Sequence, residues 1–176
     1  MNAILYMRYT FIDHLHNFSV WTAARASQRN FTTTKNIKEA IEDTRLKKFI
    51  INKRLWNSKS FDKFHRECCH SIIRCLKNKR IKTTYGRASK IVAIYIKTAI
   101  IIPSLGKNSL AKIAHPPLDN ILLTNLHKKY KNLKLNNEKW THWTESEYFE
   151  IIKKLRTLQL NKFWEIEKYW SPIRSR

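Results

Sequence analysis

Residues 84–103 read T-Y-G-R-A-S-K-I-V-A-I-Y-I-K-T-A-I-I-I-P, and after a polar loop residues 114–123 read A-H-P-P-L-D-N-I-L-L. The run Ile91 to Ile102 is apolar almost all round, which predicts a helix at the centre of a fold rather than on its surface. With Lys97 inside it and only 12 residues of length, it suits a core helix better than a membrane span. Gly86 is one of two glycines in 176 residues. Set between two helical patterns, it marks either a turn with positive φ or the close approach of another backbone. Pro103 to His115 is a loop containing Gly106. Pro116 and Pro117 are expected to open the next helix, where proline is tolerated, with Leu118, Ile121, Leu122, Leu126 and Tyr130 on its inner face.

Working outward, Phe11, Leu15, Phe18, Thr22 and Arg25 recur at helical spacing, with Ile12 and Trp21 beside them. They predict a helix over about 10–29 with that side as its apolar face. Thr32, Thr33 and Thr34 form a capping cluster for a short helix over 35–43. Leu46, Phe49, Ile50 and Leu55 extend or follow it. Phe61, Phe64, Cys68, Ile72, Cys75 and Leu76 define a strong helix ending near Lys79. Thr144 and Glu147 form a capping box for a helix carrying Tyr148, Ile151, Ile152, Leu155 and Leu158. Two-residue alternation is sustained nowhere, so the expected class is all-α. We expect one multi-helix domain over residues 1–176 with six to eight helices.

Lys and Arg number 35 against 13 Asp and Glu, a net charge of +22. Self-repulsion on this scale opposes compactness, so a polyanionic partner is expected, nucleic acid ahead of an anionic membrane. Coding bias toward Lys, Asn and Ile inflates the lysine count but does not explain the shortage of acids. Three cysteines make no even disulfide framework, which suits a reducing interior and an intracellular location. The sequence shows no secretory signal. Residues 1–30 are acid-poor and arginine-containing, as in an organelle transit peptide, yet also read as a packed helix.

Three constellations are candidates for chemistry. In the first, Gly86 and its flanking residues would present a phosphate-binding turn, with Arg87 and Ser89 beside it. Lys90 follows four residues later as a candidate amine nucleophile. Asp119, in the first turn of the Pro-Pro helix, would be its carboxylate partner. These residues resemble the helix-hairpin-helix DNA glycosylases of the endonuclease III and 8-oxoguanine glycosylase type. Tyr85-Gly86-Arg87-Ala88-Ser89-Lys90 looks like the family's turn and lysine, and Pro117-Leu118-Asp119 like its aspartate element. The resemblance implies a helix-hairpin-helix core over about 60–130 and a DNA partner rather than RNA. It also implies base excision, with possible lyase activity, on a base flipped from the stack. Lys90 would attack the sugar C1′ and Asp119 would assist. Gly86, Arg87, Ser89, Lys82, Arg25 and Arg29 would hold the nucleic acid, and His115, Tyr85 and Trp164 would line the base pocket. No cofactor is implied, and a monomer is expected.

The second constellation, His65, Cys68, Cys69, His70 and Cys75, lacks any C-x-x-C pair and reads as core cysteines rather than a metal site. The third is the aromatic and basic C-terminal part, with tryptophan-rich helices over 144–170. Trp140, Trp143, Trp164, Tyr169 and Trp170 stand there among lysines and could stack on bases or fill the core. Two non-enzymatic readings stand beside the glycosylase one. One is a basic helical module for DNA or RNA, as in a ribonucleoprotein or a defence system. The other is an interaction subunit anchored by tryptophans.

Overall fold

Thr84 starts a helix after the 79–83 link, and much of the fold packs round the helix it opens. In the computed structural model, which describes residues 9–51, 56–135 and 139–171, that helix is α5 (Tyr85–Ile96). The Thr84 hydroxyl accepts from the Arg87 N–H, and every residue of α5 except Arg87 and Lys90 is buried. Lys97–Ile101 continues it as a π-helical turn, closed by the Ile102 N–H donating to the Lys97 carbonyl.

Around α5 lie α1 (Phe11–Ser27), α2 (Thr34–Glu42), α3 (Leu46–Ile51), α4 (Ser58–Asn78), α6 (Asn120–Lys129) and α7 (Glu145–Arg156). Short 3-10 segments at 109–112, 131–133, 140–142 and 163–169 link or follow them. The described residues contain no strand, and no helix among them is long and apolar enough to cross a membrane. Leu55, Pro172 and the first eight residues of the expected targeting segment lie outside the described residues.

Local signals explain the helix starts. Thr10 and Asp13 form a capping box on α1, Asn57 and Ser60 one on α4, and Thr144 and Glu147 the expected one on α7. Each satisfies N–H groups that a helix start leaves without intrahelical partners.

Three expectations need correcting. The inner face of α1 is His16, Ser19, Val20, Ala23, Ala24 and Ser27, while Phe11, Phe18 and Trp21 are 79%, 52% and 57% exposed. Small residues let α1 lie close along α5, and their size, not the apolar period, selects the buried side. Gly86 is not a turn glycine. It sits inside the first turn of α5, and the one described glycine with positive φ is Gly106, at +68°. The segment 79–84 joins α4 to α5, so the expected glycine hairpin does not form there. Pro116 and Pro117 precede α6 rather than opening it. Asp119 is its N-cap, accepting the Leu122 N–H at 3.0 Å, because a short carboxylate caps a helix better than it occupies its first turn.

Candidate functional site

Lys90 projects from α5 toward the start of α6. Its Nζ lies 3.4 Å from Asp119 Oδ2, joining two residues 29 apart in sequence. Two tryptophans from the C-terminal part close over the pair. The Trp140 ring lies 4.5 Å from Lys90 Nζ, and Trp170 Nε1 donates to Asp119 Oδ2 at 3.1 Å. The two side chains are left 12% and 16% exposed. Trp170 also sits 5.4 Å from Lys97 Nζ, which pairs with Glu167. Burial raises the Glu167 pKa, and the Lys97 ammonium works against that rise.

The glycine acts in this assembly by close approach. A Cβ on Gly86 would lie 1.8 Å from the Trp140 carbonyl oxygen and 3.3 Å from Trp143 Cβ. The Gly86 N–H donates to the Trp143 carbonyl at 3.1 Å, and the Thr84 hydroxyl to the Thr141 carbonyl at 2.6 Å. The segment 140–143 therefore docks on the N-terminal turn of α5 and carries Trp140 over Lys90.

This docking corrects the expected phosphate turn. The Gly86 N–H is spent on Trp143, and buried Ser89 donates to the Gly86 carbonyl at 2.9 Å. Arg87 is half-buried, with its guanidinium 4.5 Å from the Phe31 ring centre. Lys82, Arg25 and Arg29 are exposed and form no ion pair among the described residues. They stay free for an anion.

The expected base-pocket residues are packed instead. His115 and Tyr85 belong to a buried hydrogen-bonded chain. Asp62 Oδ1 meets His115 Nε2 at 2.9 Å, and His115 Nδ1 meets the Tyr148 hydroxyl at 3.0 Å. The same hydroxyl lies 3.3 Å from His65 Nε2, and His65 Nδ1 lies 3.3 Å from the Tyr85 hydroxyl. One assignment satisfies all four contacts with both rings neutral. His115 Nε2–H donates to Asp62, Tyr148 to His115, His65 Nε2–H to Tyr148, and Tyr85 to His65. Arg156 closes the outer end, with two bonds of 2.8 and 2.6 Å to Asp62.

Burial lowers the pKa of both histidines, His65 furthest, and the hydrogen bond to Asp62 partly offsets this at His115. Burial disfavours the Asp62 carboxylate, yet Arg156 and His115 hold its pKa well below the usual range. Trp164 lies apart from this chain, half-buried with its indole over Gly106, where a Cβ would meet Nε1 at 2.9 Å. Asp62, Tyr148 and Arg156 were not anticipated as a unit. The available signal was Asp62, an acid set between Lys59 and Lys63 in the first half of α4.

His65 and Cys69 are neighbours, with Sγ 3.7 Å from Nδ1, but both ring nitrogens already meet tyrosines. The described residues contain no group of three or more His, Cys, Asp or Glu side chains able to hold a metal.

A concavity rich in cations runs as a trough along α3 and the outer side of α4, with Asp43 and Glu67 as its acids. Two adjoining clefts of about 440 and 620 Å³ share Arg45, Lys63 and Glu67. Lys48 lines the first, with Phe49, Trp56 and Phe64 around it; Arg66, His70 and Arg74 line the second. Glu67 pairs with Arg45, and Glu145 pairs with both Arg66 and His70. Lys48 and Lys63 have no acidic partner among the described residues. Comparison with known protein families, characterised proteins and solved structures returns no match.

Proposed function

We propose that this chain is a helical nucleic-acid-binding domain whose trough between α3 and α4 follows a phosphate backbone. The observation that carries the reading is the disposition of charge. Of the 13 acids, Asp13, Glu39, Glu42, Asp43, Asp62, Glu67, Asp119, Glu145 and Glu167 sit in ion pairs, and Glu147 in a capping box. Among the described residues, eight Lys and Arg side chains meet them. Most acids are thus engaged in ion pairs or a cap, while many cations of the described residues, Lys48 and Lys63 among them, have no acidic partner. Repulsion at +22 supports a monomer in the free state.

The test is fluorescence anisotropy with labelled DNA and RNA of one sequence across a salt series. Binding should weaken linearly in log–log form. In Lys48→Ala/Lys63→Ala the slope on duplex DNA should fall by about 1.8, two phosphate contacts at about 0.9 each. Affinity that ignores salt would remove the proposal.

One contact favours a second reading, base excision with Lys90 as nucleophile and Asp119 as its partner: the 3.4 Å approach of the two side chains. For that chemistry Trp140 and Trp170 must part to admit a flipped nucleotide to Lys90. DNA ahead of RNA follows from the family resemblance of these residues. Borohydride should then trap a covalent adduct on abasic or damaged DNA that Lys90→Ala abolishes. Binding without an adduct leaves the non-catalytic module.

A further inference from the structure

The outward side of α1 leaves Phe11, Phe18 and Trp21 exposed. Phe18 and Trp21 stack on each other there, ring centres 5.9 Å apart and planes 28° from parallel, and both are more than half exposed. Trp21 also forms one wall of a groove of about 370 Å³ between α1 and α2, opposite Lys35 and Lys38. Arg25 stands one turn beyond Trp21 on the same side, and Arg29 follows it. No acid lines the groove. Asp13, Glu39 and Glu42, the acids of these two helices, are engaged with Lys47, Lys79 and His16.

Exposed aromatic faces beside unpaired cations match one class of ligand: a strand whose bases are unstacked and whose phosphates run alongside. A second copy of this chain fits poorly, because each copy carries +22. We infer that the groove between α1 and α2 is a single-strand platform. One base stacks on Trp21 and the next on Phe18, while Lys35, Lys38 and Arg25 hold the intervening phosphates. The inference rests on the nucleic-acid reading above and adds strand type to it. A duplex, with its bases already stacked, gains nothing from the platform.

Anisotropy on the full chain with an unstructured oligothymidine and a duplex of equal length tests it. Trp21→Ala should weaken oligothymidine binding about 5- to 150-fold, the range for loss of one base stack. Duplex affinity should stay unchanged, and Trp21→Phe should restore most of the loss. Both side chains are solvent-facing, and a matching circular dichroism melt checks that the variants fold. If the protein binds both ligands and Trp21→Ala changes neither, the platform is overturned and the nucleic-acid reading stands. If it binds neither at low salt, both fall. Two results would assign the face to another partner and overturn the inference. One is Trp21-dependent binding to phosphatidylserine vesicles with oligothymidine affinity unaffected. The other is Trp21-dependent dimerisation in sedimentation.

Discussion

Gly86→Ala tests the docking of 140–143 on α5 directly. The added methyl would sit 1.8 Å from the Trp140 carbonyl oxygen and 3.0 Å from its carbon, backbone atoms that cannot rotate away. Segment 140–143 must therefore lift. Overpacking of this kind costs about 1–3 kcal/mol. Lifting also strains the bonds from Gly86 to Trp143 and from Thr84 to Thr141, each contributing about 1 kcal/mol. Against this, alanine is better than glycine in a helix by about 1 kcal/mol. The net is a loss of about 2–4 kcal/mol, or roughly 5–15 °C in Tm for a chain of this size. Urea denaturation followed by circular dichroism measures it, and trinitrobenzenesulfonate labelling reports whether Lys90 has been uncovered with Trp140. A variant as stable as the parent, with Lys90 no more reactive, would refute the close approach. The stated reason for a glycine at this position would go with it.

Three further outcomes are expected. Asp119→Ala removes the α6 cap, the partner of Lys90 and the acceptor of Trp170 together, at about 2–4 kcal/mol. Asp119→Asn keeps the cap and should cost about half as much, so equal losses in thermal melts would contradict the assigned roles. Stability should also depend on pH. His65 and His115 are held neutral, with pKa values below the ordinary 6.5. As pH falls through 6.5 the unfolded chain takes up protons first. Stability is thus complete above that value and declines below it, by up to about 1.4 kcal/mol per pH unit for each ring. Asp62, also depressed, adds a loss below its ordinary 3.8. Urea titrations at pH 7.5, 6 and 5 that superimpose would contradict the neutral assignment. Finally, Cys68 and Cys69 are buried, and burial pushes the Cys68 thiol up to about 12, while Cys75 is partly exposed. A thiol reagent should modify one cysteine quickly in the native protein and three after denaturation. Three equal rates would contradict the packing of α4.

The legible parts of the fold were those written in short-range chemistry. Thr144 with Glu147 announces a helix start because both groups lie within one turn. The run after Lys90 announces a core helix because no polar face interrupts it. The failures came where the deciding partner is remote in sequence. Nothing near Phe18 or Trp21 says that α5 needs small residues against it, so the apolar period pointed to the wrong side of α1. Gly86 was readable as a point of restricted space, but not that Trp140, 54 positions away, fills that space. Lys90 and Asp119 were paired by their setting and do meet. His115 and Tyr85, chosen for proximity in sequence, face the interior, because Asp62 and Tyr148 reach His115, and His65 reaches Tyr85, from other helices.

Both glycines of this chain lie beneath a tryptophan residue of its last quarter. Gly86 receives the backbone of Trp140, and Gly106 receives the indole of Trp164. Thus α5 and the turn after it carry two sockets that only residues more than 50 positions later fill. During translation α5 would emerge with one flank bare, and this part of the protein would remain a substrate for chaperones until residues 140–164 leave the ribosome. Ending the chain before residue 140 should for this reason harm folding without removing any of the proposed nucleic-acid contacts.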